Sequence, residues 1–428
     1  MDKNLIFLDN QKIQIASEIN INDLVKDTSK LEQNIWENKI IHNNSIDFYN
    51  SYILVSLIKD LSKQMLVKIV LEPEWEARFE SYCYGYRPGR SNKDVVEVIF
   101  TNLYRKPLHV ANINLAYTLI DVNSILFLNK INTLPKLTSC LQYWLDLGIL
   151  NEYVYQSQSL DFPNTYSYST KGCILSPLLV NIYFYGLQSY LNLKLNTKEK
   201  FTFIQYGHQF LIMHSQKNII LQSILLIKQW ILQLGFSFDN KAVDIQSSTI
   251  SFDFIGYRIC NVGQKGFANP YHKVLIYPSI QSMRLFTQGN REIIQNLKSG
   301  SITILIKKIR FRIFKWVYYY DTCQSFLAFK KLDEVLFSQI RAAVIRKHPN
   351  KSKNWIKQKY FPDNQKYYFF NNCYTASWIL TDTSSSVPIF LPRMRWFPKQ
   401  QYIKVLDEKS PYDGDQTYWS QRYKFDNW

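Results

Sequence analysis

Residues 71–91, LEPEWEARFESYCYGYRPGRS, constrain this chain more than any other stretch. The first half reads as a helix, with Glu74 and Glu76 flanking Trp75 and with Ala77 and Phe79 following. The second half cannot continue that helix. Gly85, Pro88 and Gly89 fall within five residues, and Pro88 drives Arg87 out of the α region. A helix must therefore give way to a fixed loop, which holds Arg87 and Arg90 among aromatic rings, as on surfaces that take phosphates and bases. The plainer reading of the same residues is a tight turn with solvated arginines.

Charge indicates what such a surface would meet. The chain has 51 Lys and Arg against 34 Asp and Glu, a formal +17, which favours a polyanion as partner and nucleic acid before others. It also carries 30 Tyr, 27 Phe and 10 Trp, so base-stacking surfaces and an aromatic core are both available. With 46% hydrophobic and 20% charged residues the chain is globular, not disordered. Cysteines 83, 140, 173, 260, 323 and 373 are scattered without a C-x-x-C pair, and the histidines form no spaced ligand set. No metal or other cofactor is therefore expected, and the compartment reads as reducing. The most apolar run, Ile219 to Phe236, is interrupted by Gln222, Lys228, Gln229 and Gln233, so it reads as a core helix and no membrane partner is expected. The opening MDKNLIFLDN has the pattern of neither a secretory signal nor a transit peptide.

Periodicity places the elements. A short helix is expected in SKLEQNIWENKII, a strong one over 50–80, another over 92–104, and helices over 124–150. HVANINLAY reads as a strand, DFPNTYSYSTKGC as a loop, and ILSPLLVNIYFYGLQSYLNLKL as one long apolar helix with Pro177 in its first turn. FTFIQYGHQFLIMHS alternates in two runs and predicts a hairpin, followed by a helix over 217–234 and further strands through Cys260. From 284 the pattern is helical and basic. Between 301 and 360 fourteen Lys and Arg face three acids, a net +11 that is most of the protein's excess. TDTSSSVPIFLPR reads as a linker.

LEPEWEARFESYCYGYRPGRSNKDVVE is similar to the finger segment of group II intron reverse transcriptase/maturases, whose pattern is close to LEPxxExxFxxxSYGFRPGRSxxDA. Pro73, Glu74, Glu76, Phe79, Ser81, Gly85, Arg87, Pro88, Gly89, Arg90, Ser91 and Asp94 fit it. Upstream, Asp60 and Gln64 resemble the family's Asp-Arg-x-x-Gln helix, with Leu61 where Arg is usual. TKGCILSPLLVNIY resembles its PQGxxxSPxLxNxY motif, with Lys171 for Gln, and FDFIGYRI resembles FxFLGFxI. FRIFKWVYYY resembles the Gly-Trp-x-x-Tyr-Tyr helix of the thumb and maturase domain through Trp316, Tyr319 and Tyr320. FKKLDEVLFSQIRAAVIRKHPNKSKNWIKQKYF resembles the segment with which that domain grips intron RNA.

Templated polymerisation needs two metal ions held by carboxylates, since Mg²⁺ prefers hard oxygen ligands. In the family one Asp lies on the first palm strand and two in a Y-x-D-D turn. Aligned on Ile113 and Tyr117, those positions here hold Asn112, His208 and Gln209, and the turn reads YGHQF. The resemblance thus implies a reverse transcriptase scaffold without its polymerase centre, hence no enzyme. The tail from 376 has neither Cys nor His, so the nuclease of some bacterial members is not supported.

The resemblance implies an α+β chain: right-hand reverse transcriptase-like fingers and palm, with helices around a small antiparallel sheet, then an α-helical thumb and maturase (X) domain. The divisions are 1–49, a divergent extension; 50–275, fingers and palm; 276–375, thumb and maturase domain; and 376–428, a tail. RNA contact is expected from Arg87, Arg90, Lys307, Lys308, Arg310, Arg312, Lys315, Arg346, Lys347, His348, Lys351, Lys353, Trp355 and Lys357. Trp355 either stacks on an unpaired base or fills the core. The implied function is assistance to splicing of group II, or group II-derived group III, introns by stabilising the folded RNA. The partner is intron-containing precursor RNA, with other organellar splicing factors as further candidates. A+T-rich codon preference suggests an organellar gene, plastid first, with mitochondrion and bacterial cytoplasm open. Two alternatives stand: a reverse transcriptase using displaced acids, with Asp121, Asp239 and Asp253 to check, and a general RNA-binding or chaperone protein.

Overall fold

The computed structural model describes residues 45–116, 122–150, 174–195, 201–233, 243–262, 273–297, 300–363, 365–384, 388–399, 402–406 and 409–424. Several sequence readings fall outside these residues: the SKLEQNIWENKII helix, the DFPNTYSYSTKGC loop, and Tyr117, Asp121, Lys171 and Asp239.

The chain is a mixture of helices and small antiparallel sheets. It starts with α1 (Ser45–Arg78) and α2 (Asn92–Arg105). Val67, Leu71, Trp75 and Phe79 recur every fourth residue and are all buried, so α1 presents one apolar stripe inward. After β1 (His109–Asn114) come α3 (Ser124–Ile131), α4 (Pro135–Asp146), α5 (Ser176–Phe184) and α6 (Leu187–Leu195). The single long helix expected over 174–195 is in fact α5 and α6, broken at Gly186, whose φ of 91° only glycine adopts without strain. Apolar periodicity continues across the break, which is why the sequence concealed it.

The expected hairpin is β2 (Thr202–Tyr206) and β3 (Gln209–His214), followed by α7 (Lys217–Gln233) and β4 (Val243–Ser247). These strands form a four-stranded sheet in the order β2-β3-β1-β4. Both of its faces are covered. Val110, Ile204, Leu211 and Met213 point into one core, and Ala111, Ile113, Phe203, Phe210 and Ile212 into the other. The alternation along each strand sorts the residues in this way. The first core takes in α2 and the C-terminal helices, and the second takes in α1 and α3–α7.

A second sheet, β5 (Phe252–Phe254), β6 (Tyr257–Val262) and β7 (Lys273–Pro278), turns at Ile255 and Gly256 with φ of 41° and 81°. A two-residue hairpin turn of this kind needs positive φ at both positions. The helices α8 (Ile280–Asn296), α9 (Ile302–Tyr320), α10 (Phe326–Lys347) and α11 (Lys353–Tyr360) follow. In α9 the Trp-x-x-Tyr-Tyr motif is structural. Trp316 is wholly buried, the Tyr319 hydroxyl donates to Ile255 O at 2.7 Å, and that of Tyr320 donates to Gly256 O at 3.1 Å. The motif thereby bolts the β5–β6 turn to α9. In α10, Phe329, Leu332, Leu336, Ile340 and Val344 make the buried stripe, each side chain worth about 1.5–3 kcal/mol of transfer free energy.

The chain ends with β8 (Lys366–Phe369) paired to β9 (Asn372–Thr375), β10 (Thr381–Asp382) paired to β11 (Ile389–Phe390), and α12 (Gln416–Lys424). The segment read as a linker is instead this β10–β11 ribbon. Thr381, Asp382 and Leu391 are buried, and the Thr303 hydroxyl donates to Asp382. Its Ser-rich centre suggested looseness, but the flanking apolar residues pack. Among the described residues no helix is long and apolar enough to cross a membrane.

Candidate nucleic-acid interface

The loop after α1 is built inward. Arg87 is 2% exposed, and its guanidinium donates to Glu76 at 2.9–3.1 Å and to the carbonyls of Glu80 and Cys83 at 3.0 Å. Burial raises the Glu76 pKa, and Arg87 opposes that rise. Arg90 is 4% exposed and donates to Ser81 O at 2.6 Å. The expectation that Arg87 and Arg90 meet RNA is therefore corrected. Both serve as internal clamps, because an acid on α1 and the loop's own carbonyls lie within reach. The loop also edges the sheet: Tyr84 N–H donates to Gln205 O and Gln205 N–H to Tyr82 O, each at 2.9 Å. A Cβ on Gly85 would stand 2.3 Å from Gly207 N, so only glycine lets the loop lie on the hairpin turn.

The C-terminal segment covers the same loop. Arg422 donates to Asp94 at 2.7 Å and to Gly89 O at 3.0 Å, while the other Asp94 oxygen accepts from Val405 N–H at 2.7 Å. Trp419 packs where a Cβ on Gly89 would sit, 2.5 Å away. Sequence reasoning missed this clamp. Its one signal was Asp94, the last matched residue of the loop motif.

The face of the four-stranded sheet that carries Asn112 also carries Asn114 and Gln209, paired across β1 and β3, and Asp244, paired with Asn112 across β4. The Asn112 amide donates to Asp253 O at 2.9 Å. Asp253, one of the acids named for a displaced metal site, has its carboxylate engaged by Arg258 at 2.7 Å. His208 is buried, and burial lowers its pKa to about 4, so its imidazole is neutral at physiological pH. Among the described residues no three His, Cys, Asp or Glu side chains group to hold a metal ion. Among the described residues that face offers neutral amides and one carboxylate, Asp244, whereas a pair of divalent ions beside a triphosphate needs several anionic oxygens.

The basic helices divide their cations. On α9, Ile304, Lys307, Lys308, Phe311 and Lys315 follow helical spacing along one side, with Ile304 and Phe311 47% and 61% exposed. Lys307 and Lys308 are exposed, and the Lys315 ammonium lies 4.4 Å from the Phe311 ring centre. The other two face elsewhere: Arg312 donates to Asn290 on α8 at 3.0 Å, and Arg310 lies 5.6 Å over Phe314.

At the end of α10, Arg346 and Lys347 are exposed, as are Lys351 and Lys353 across the turn. Trp355 resolves as a surface ring that also leans on the core. It is half-buried, with Lys351 and Lys359 at 5.4 and 4.8 Å and His348 edge-on at 5.1 Å. His348 pairs with the Tyr360 hydroxyl at 2.6 Å. Partial desolvation, then Lys359, Lys347 and Lys351, lower its pKa. Lys357 is paired with Asp363 at 2.5 Å.

Sequence reasoning also missed a groove of about 780 Å³ between α8 and α10, lined by Arg284, Gln288, Arg291 and Gln295 from one helix and Lys331 and Gln339 from the other. Their spacing along α8 was the available signal, but this polar stripe lay outside the densest charge.

Residues 283–361 match the family model for the group II intron maturase-specific domain. A "Maturase-like protein 1" of Euglena longa is 24% identical over 281 residues, 62% of this chain and 55% of that protein. An "Uncharacterized 91 kDa protein in cob intron" of Schizosaccharomyces pombe is 28% identical over 148 residues, 34% of this chain and 17% of that protein. The matched region therefore spans about half of the first relative and much less of the second. Among solved structures, telomerase from Candida albicans in complex with a fragment of telomeric RNA aligns at a TM-score of 0.31 and 10% identity, covering 68% of this chain and 56% of that one. A likeness that low carries no argument.

Proposed function

We propose that the chain is a group II intron maturase-like protein, as the match of residues 283–361 to the maturase-specific domain and the Euglena longa relative support, and that it binds intron RNA and stabilises the fold in which the RNA splices itself. The observation that carries this reading is the outward display of cations with the exposed ring of Phe311 and the half-buried ring of Trp355 on α9–α11, Lys307 and Lys308 on one helix and Arg346, Lys347, Lys351 and Lys353 about the others, inside the matched maturase domain. Phosphate contacts there supply affinity, and the rings meet unpaired bases. In the same reading, residues 50–275 are a reverse transcriptase-like fingers and palm, 276–375 the thumb and maturase domain, and 376–428 a tail folded back on the fingers loop. The sheet then serves as scaffold without polymerising, since Asn112, His208 and Gln209 stand at the metal positions. An organelle, plastid or mitochondrion, is the proposed site of action, and the substrate is a group II or group III intron.

The test is a binding and splicing comparison at roughly 0.15 M salt. Group II precursor RNA and a structured ribosomal RNA fragment of equal length are titrated with the full chain, and precursor splicing is timed with and without protein. Preferential binding and faster splicing support the reading. Equal affinity for both RNAs without acceleration leaves a general RNA-binding protein. A second reading, residual polymerisation, rests on Asp244 standing across from Asn112. Primer extension with Mg²⁺ or Mn²⁺ that Asp244→Asn abolishes would establish it.

A further inference from the structure

A pocket of about 220 Å³ opens where α10 meets the segment carrying β10 and β11. That is several times the roughly 30 Å³ share of one water and below the roughly 300–1,000 Å³ of sites for drug-sized ligands. It therefore admits one flat ring system and leaves anything attached outside. Nothing in the splicing reading uses it.

Its walls are aromatic. Trp378 is 40% exposed and packs at 5.6 Å against Phe337 and at 5.9 Å against Phe361. Trp378 also holds φ at 63°, a left-handed conformation that a bulky side chain adopts only under strain, and such strain collects at ligand sites. The charged groups are two acids and two arginines, Asp333 and Glu334 with Arg393 and Arg395. The Asp333 carboxylate accepts from Met394 N–H at 2.9 Å and from Arg395 Nε at 3.4 Å. A carboxylate has about four acceptor directions, so Asp333 keeps capacity to receive more. Arg393 and Arg395 also line the pocket, and Arg393 is steadied by a 2.9 Å bond to Ser377 O. Lys357, paired with Asp363, lies 5.1 Å over the Trp378 ring.

We propose that this pocket takes one unpaired nucleobase of the bound RNA, with guanine the preferred occupant. A base stacks on Trp378 or Phe337. Guanine presents two adjacent N–H donors that suit the Asp333 carboxylate, and its O6 and N7 accept from a guanidinium, here Arg393 or Arg395. The flanking phosphates remain outside among the cations. Adenine lacks the paired donors, and uracil offers only one, so both leave Asp333 less satisfied. The inference rests on the RNA-binding reading and adds to it the one base that is read.

The test uses the full chain and a set of RNA hairpins that differ in a single unpaired loop base: guanine, adenine, cytosine, uracil or an abasic site. Affinity is measured by fluorescence anisotropy over a salt series. Guanine is expected to bind tighter than adenine or uracil by about tenfold or more. Asp333→Asn, which keeps the shape, should erase that preference while leaving the salt slope unchanged. Arg393→Ala, checked for folding by circular dichroism, should do the same. Ultraviolet crosslinking of a 6-thioguanine at the loop position is expected to map to Trp378 or Phe337. Equal affinity for all loop bases, with RNA binding and its salt slope intact, overturns the pocket alone. Failure to bind any hairpin overturns the pocket and the RNA-binding reading together.

Discussion

Arg87 and Arg346 are both arginines at the edge of an aromatic-rich stretch, yet they face opposite ways. Arg87 is 2% exposed and donates to Glu76, Glu80 and Cys83. Arg346 is exposed and returns one bond, at 3.2 Å, to Ala342 of its own helix. The difference follows from the acids nearby. The loop after α1 has Glu76 on the helix that leads into it, which neutralises Arg87, and Asp94 at the start of α2, which takes Arg422 from the tail, so the charges gathered there are balanced internally. Between 301 and 360 fourteen cations share three acids, and burying the surplus would cost several kcal/mol per ion. Those cations must stay in solvent, which makes them available to phosphates.

The largest expected effect lies on the buried side. Arg87→Ala leaves the Glu76 carboxylate buried without its partner, and should cost about 3–5 kcal/mol in chemical denaturation. Arg87→Lys should recover little of it, because an ammonium cannot reproduce the guanidinium fork. Arg422→Ala removes the clamp on Asp94 and should cost about 3 kcal/mol. Limited proteolysis should then release the tail, while the salt dependence of RNA binding stays the same. A changed salt dependence would place Arg422 in the interface and break the comparison.

The histidines sharpen it by pH. His208 has its pKa lowered from 6.5 to about 4 by burial. Between those values the unfolded chain binds a proton that the folded chain does not, so stability is full above pH 6.5 and falls as pH drops toward 4. The loss approaches about 3 kcal/mol, at roughly 1.36 kcal/mol per unit. His208→Gln should flatten that part of the melting-temperature profile, and His348→Ala should change it in the same direction, because the His348 pKa is lowered too.

The smallest effect on stability belongs to the exposed stripe of α9. Lys307→Ala with Lys308→Ala should leave stability within about 0.5 kcal/mol, since neither side chain is buried. The log–log salt slope of RNA binding should fall by roughly 0.7–0.9 for each phosphate that is no longer neutralised. A large stability loss with no change in slope would show these lysines to be structural, as Arg87 is.

Local pattern determined much of this protein. The alternation in FTFIQYGHQFLIMHS specified a hairpin, the four-residue recurrence from Val67 specified a stripe, and the charge surplus past residue 301 located the basic helices, all through neighbours close in sequence. That Asn112, His208 and Gln209 stand where the resemblance expects acids was equally legible, because it is a matter of identity and not of arrangement. Tertiary structure alone decided which arginines were spent inside. It brought Arg422 to Asp94 across 328 positions, set Asp244 beside Asn112, and closed Trp378, Phe337 and Asp333 around one pocket. Composition places a cation near aromatic rings, but its role depends on whether an acid from a distant segment arrives to neutralise it, and that depends on the packing of the whole chain.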